Sequence, residues 1–220
     1  MSLSILLKDE LKGFYKSKVM LVLWVGLPVL SILFFFFYPD AGDEMPLTAT
    51  TALVVSSIGG TLGAVMLAVS IINEKESKVY DLFLIRPIKR RDILISKFLS
   101  VYACIAIAVC ISLTMGLLFD YYKSGAMPEH MMTTAMESIV MSLSMIAVSA
   151  SAGVLIGVVS PSVLVGAVLV IYGGNQISVL PAIPALIDIS HEVLFAIGTG
   201  AVTTIILMVI GMYLFGRKQF

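Results

Sequence analysis

Six long apolar stretches govern what this chain can fold into. They cover residues 19–38, 47–72, 98–119, 138–159, 162–180 and 196–215, and none of them holds an Asp, Glu, Lys or Arg. A helix of about 20 apolar residues crosses the hydrocarbon of a bilayer. Inside lipid every backbone N–H and C=O must be satisfied within the protein, which leaves helices or a closed barrel. Barrel strands alternate apolar and polar residues. These runs do not alternate, so they predict helices. Composition points the same way: 59% of residues are hydrophobic and 13% charged, against roughly 45–50% and about 25% in soluble domains. Mean hydropathy is +1.05. The expectation is an all-α integral membrane protein, with six transmembrane helices forming a single domain over residues 1–220.

Lysine and arginine set the expected orientation, because they collect on the cytoplasmic side. Lys8, Lys12, Lys16 and Lys18 precede the first span. Lys75, Lys78, Arg86, Lys89, Arg90, Arg91 and Lys97 follow the second, and Arg217 and Lys218 follow the sixth. With an even number of spans, all but Lys123 of the 14 basic residues fall on one side. That side is expected to be cytoplasmic, together with both termini. The facing segments carry acids instead: Asp40, Asp43, Glu44, Asp188 and Glu192. The first apolar run exceeds the roughly 7–15 residues of a secretory h-region, so it reads as a retained span.

Between and within the spans, several features have a local physical meaning. Leu3, Leu6, Leu7, Leu11, Phe14 and Tyr15 recur at helical spacing, with Lys8, Asp9, Lys12 and Lys16 between them. This predicts an N-terminal amphipathic helix lying at the membrane interface. In the second span Ser56, Gly60, Ala64 and Ala68 recur every four residues, and in the fourth Ser149, Gly153 and Gly157 do the same. Such stripes let helix backbones approach closely. Packing within the chain is the favoured reading over a dimer face. The turn at Ser160, Pro161 and Ser162 is very short. The fifth span meets Gly173, Gly174, Asn175 and Gln176, and Pro181 and Pro184 follow. Residues 176–195 are therefore expected to form a broken, partly re-entrant external hairpin before the last helix.

Several function classes lose support. A net charge of zero gives no reason to expect nucleic acid. Cys104 and Cys110 lie in an apolar run and read as small buried hydrophobes. His130 and His191 are too few and too scattered for a metal site, so neither metal nor cofactor is expected. An ion-coupled carrier usually needs an ionisable group at depth, and the spans hold none. No GxxxxGK[ST], HExxH or GxSxG pattern occurs, so the chain is not expected to be an enzyme. Energy for uphill transport has to come from another protein.

The long basic loop, residues 73–97, reads NEKESKVYDLFLIRPIKRRDILISK. Asn73 suits a helix cap, and Glu74 and Glu76 suit a first turn, where the helix dipole favours acids. Val79, Leu82 and Phe83 make an apolar face. Pro87 stops the helix by pushing Arg86 out of helical geometry. Asp92 is placed to cap the helix leading into span three. Positive-inside anchoring accounts for the basic cluster. The acidic start, apolar face and proline stop together describe a short amphipathic helix that a soluble partner can grip.

This order resembles the first cytoplasmic loop of ABC-2 type transporter permeases, with Glu74, Glu76, Leu82, Pro87, Arg90, Asp92 and Lys97 at matching places. The amphipathic leader, the six spans and the interrupted segment before the last span are also similar to that family's plan. The resemblance implies a membrane-spanning permease subunit of an ATP-binding cassette transporter, in export, in the plasma membrane of a prokaryote. It implies a separate ATPase subunit and a second permease, either another copy or a homologue. Glu74, Glu76, Leu82, Phe83, Arg86, Pro87, Arg90 and Arg91 are then expected to transmit the ATPase stroke. The expected substrate path runs between two permeases along spans two and five, lined by Ser56, Ser57, Thr61, Tyr172, Asn175 and Gln176. A self-contained carrier or channel is the alternative.

Overall fold

The computed structural model describes residues 3–37, 47–77, 90–124, 129–183 and 192–217. Every element among them is helical. Helix α1 (Leu3–Tyr15) leads into α2 (Lys18–Phe37), followed by α3 (Leu47–Glu76), α4 (Arg90–Ser124) and α5 (Glu129–Val159). The fifth apolar run is built in pieces. It comprises α6 (Val163–Leu169), a π-helical segment (Val170–Gly174), the single turn α7 (Asn175–Ser178) and a 3₁₀ turn (Leu180–Ala182). Helix α8 (Glu192–Arg217) closes the order. Six helical segments are long and apolar enough to cross a membrane, as the sequence predicts.

The third of these segments is longer than its apolar run. Helix α4 starts at Arg90, so that Asp92 stands in its first turn and not at the expected cap, and it continues past residue 119 to Ser124. Lys97 and Asp120 therefore stand inside the helix, and both are buried. Hydropathy marks only the lipid-facing length of a helix, and charged ends that find partners extend it.

Helices α3 and α5 form the centre of the bundle, and small residues bring them together. Ser142 Oγ donates to Ala52 O at 3.3 Å, and Ser56 Oγ lies 3.5 Å from Met145 Sδ. A Cβ placed on Gly153 would fall 2.5 Å from Ala64 O, and one on Gly157 3.0 Å from Ala68 Cα. The partners keep a nearly constant sequence offset, so the two helices run parallel in fixed register. The small-residue stripes thus pack within the chain. Close backbone contact of this kind is what holds helices together in lipid, where burial of apolar surface gives no net drive.

Helix α4 runs antiparallel to α3. Ile105 faces Gly63 near the middle of the pair, and Thr51 faces Gly116 towards one end. Asp120 Oδ2 accepts from Thr48 N at 2.9 Å and from the Thr48 hydroxyl. The start of α3 is therefore capped by a carboxylate from another helix, where unpaired N–H groups and the dipole favour an anion. Helix α2 packs beside α4, with Trp24 Nε1 donating to Cys104 O at 3.2 Å and Ser31 Oγ 2.6 Å from Ser112 Oγ. The core between these helices includes Leu27, Val55, Leu67, Ile105 and Ile146. Helix α8 lies against α5. Many of its large apolar residues, among them Leu194, Ile205 and Val209, face outward.

The expected interruption of the fifth span takes a defined form. Chain geometry stays helical through residue 183, with one π segment over Val170–Gly174 and a 3₁₀ turn at Pro181. Of the rest of the expected hairpin, residues 184–191 lie outside the described residues, and residues 192–195 belong instead to the first turn of α8, which starts before the apolar run at residue 196.

Candidate functional site

Two places gather the polar groups that the sequence singles out. The first lies at the end of the bundle shared by α1, the close of α3 and the start of α4, called here the basic end. Helix α3 runs unbroken through Asn73, so Glu74 and Glu76 occupy its last turn and not, as expected, the first turn of a separate helix capped by Asn73. Arg91 is exposed in the first turn of α4, and the backbone of Arg90 begins that helix. Leu82, Phe83, Arg86 and Pro87 lie outside the described residues.

Lys97 organises this end. Its side chain is 1% exposed. Its ammonium pairs with Glu10 of α1 at 2.9 Å and with Glu74 of α3. It also donates to Ser70 Oγ at 3.3 Å and lies 5.8 Å from the centre of the Phe14 ring. A buried ammonium is tolerated only when paired and hydrogen-bonded, and three helices supply the partners. Burial pushes the Glu10 carboxyl above the usual carboxylate range, and this outweighs the opposing pull of Lys97. Phe14 and Leu6 are the buried residues of α1. Leu6 and Phe14 of the apolar stripe thus pack on the bundle beside the ion pair, while Leu11 and Tyr15 of the same stripe stay exposed. A further tie at this end joins Lys75 Nζ to Ser160 O at 3.2 Å, which fastens the short turn after α5.

Sequence reasoning placed Lys97 at the close of a basic loop and gave it no partner. The motif match at Lys97 was the available signal. The partner was not visible, because Glu10 belongs to the leader and faces Lys97 only after α1 folds back onto α4.

The second place is midway along α3. Asn175 Oδ1 lies 3.2 Å from Ser57 Oγ and 3.2 Å from Thr61 Oγ1. Thr61 Oγ1 is also 2.7 Å from Ser57 O, so its single hydrogen serves the shorter contact. Ser57, Thr61 and Asn175 therefore form one polar cluster between α3 and the start of α7. The other three residues expected beside them do not join it. Ser56 is one step, about 100°, round the helix; it is buried towards α5 and donates to Leu53 O at 3.1 Å. Tyr172 is 75% exposed, and Gln176 is exposed as well. Gly173 and Gly174 fall in the π segment that delivers Asn175 to α3. Such segments are frequent at functional sites.

The family model described as ABC-2 family transporter protein matches residues 4–179 of this chain. No curated protein matches it significantly. The matched length runs from α1 through α7, so both clusters lie within it.

Proposed function

Since the chain belongs to the ABC-2 transporter family and is a permease subunit of an ATP-binding cassette transporter, we propose that the 73–97 loop couples it to a separate ATPase and that the complex exports its substrate. The observation that carries this reading is the junction around Lys97. Glu74 closes the helix that enters the loop, and Lys97 lies near the start of the helix that leaves it. Their ion pair, extended to Glu10, makes both limbs of the loop and α1 one mechanical unit. Force applied to an amphipathic segment between Glu76 and Arg90 then moves α1, α3 and α4 together. Rigid-body movement of this kind is how domain motion is passed between subunits.

The proposal includes the orientation given by the basic residues, with the junction cytoplasmic and the membrane that of a prokaryotic cell. It includes one domain over the whole chain, and a second permease, identical or homologous, facing α3 and the π segment. Ser57, Thr61 and Asn175, with the exposed Tyr172 and Gln176 beside them, are the groups proposed to meet a substrate there, while Ser56 is buried towards α5; Asn175 offers two donor hydrogens on its amino group.

The test replaces Leu82 and Phe83 together with Asp. The expected result is a protein that still inserts and runs as a single species in detergent, but no longer retains an ATPase when purified from its native host. Undiminished retention would overturn the coupling assignment. Transport by the purified chain alone in liposomes, driven by an ion gradient, would replace it with a self-contained carrier.

A further inference from the structure

Between α1 and α3 the protein leaves a cavity of about 670 Å³, inside the roughly 300–1,000 Å³ range of small-molecule sites. Its wall changes character along α3. Leu62, Val65 and Met66 line one part, and Glu74 lines the end. At about 1.5 Å per residue, Leu62 and Glu74 are about 18 Å apart along the helix. Asp9 and Glu10 of α1 join Glu74 on the same wall, and Lys97 is the cation there among the described residues. The cavity lining itself thus carries three carboxylates and one ammonium, and that ammonium is already paired with Glu10 and Glu74. Glu74 Oε2 is buried without a hydrogen-bond partner.

We infer that this cavity binds an amphiphilic cation, a single positive head on an apolar body. The head sits among Asp9, Glu10 and Glu74, and the body lies along Leu62, Val65 and Met66. An excess of carboxylates beside an apolar wall concentrates cations and repels anions. A zwitterionic head would bring its phosphate against the same carboxylates. The site belongs to one protomer and does not depend on the coupling proposal, so the two are tested separately.

The experiment uses the full chain in phosphatidylcholine nanodiscs. The probe is an alkyltrimethylammonium with a diazirine in its chain; the control carries a sulfonate head on the same chain. Cross-links are located by peptide mass. The cation is expected to label α3 between residues 62 and 69, saturably, and to be displaced by unlabelled alkyltrimethylammonium, while the sulfonate does not label it. Met66→Trp fills the cavity and is expected to abolish labelling; Val65→Phe serves if that variant does not run as a single species. Asp9→Asn, on the exposed side of α1, is expected to weaken labelling by about two- to fivefold, the range of an exposed ion pair. Equal labelling by cation and sulfonate would overturn the inference. So would labelling that survives both cavity-filling variants, or a diazirine phospholipid that labels the same residues and is not displaced by the cation.

Discussion

A lysine with 1% of its side chain exposed persists only where its charge is met. Lys97→Met removes the cation and leaves Glu10 and Glu74 facing each other. Those carboxylates are 22% and 25% exposed. The expected loss is therefore about 2 kcal/mol, below the roughly 3–5 kcal/mol of a fully buried pair. Thermal unfolding in detergent reads it, and an unchanged midpoint would remove Lys97 from its central place. Glu10 makes a separate prediction about pH. Burial, together with the nearby Glu74 and Asp9, holds its carboxyl above the ordinary value of 4.5 despite Lys97. The folded protein keeps this proton in a range where the unfolded chain has lost it. Stability contributed by Glu10 therefore falls as pH rises from about the ordinary value through the raised one. Glu10→Gln should flatten that part of the midpoint-against-pH curve, and equal slopes would contradict the assignment.

Helix pairs are where the sequence was most and least informative. The stripes on α3 and α5 were legible, because only small residues let backbones approach. Gly153→Ala places a Cβ 2.5 Å from Ala64 O and 2.6 Å from Ala64 Cα, so backbone must shift, at about 1–3 kcal/mol. Gly198→Ala meets nothing within 4 Å and should be neutral or slightly stabilising, since alanine favours helix over glycine. Equal unfolding midpoints for the two variants would mean that the close approach does not hold the pair. Adjacent residues were harder to assign. Ser56 and Ser57 look alike in a polar-path argument, yet one faces α5 and the other Asn175. Only the partner helix decides which. The burial of Lys97 was hidden for a related reason: Arg91, Asp92 and Lys97 all resemble solvated residues until a neighbouring helix covers Lys97 and leaves Arg91 exposed.

Across the whole molecule, the six spans were legible because lipid permits no unsatisfied backbone. The same charge pattern fixes a testable orientation. In a Cys104→Ala/Cys110→Ala background, Ser77→Cys should react with an impermeant maleimide only after the membrane is opened. Gly125→Cys should react in intact cells, and the reverse pattern would invert the orientation. One more consequence comes from how α3 is held. Asp120 grips its first turn and Lys97 its last, and both belong to α4. A slide of one residue, about 1.5 Å, strains the cap and the ion pair at once. Helix α3 is thus denied piston motion along its neighbour and keeps freedom to tilt with it. Under the proposed coupling, an impulse reaching Glu74 would leave the far end of the helix as a change of angle, not of height.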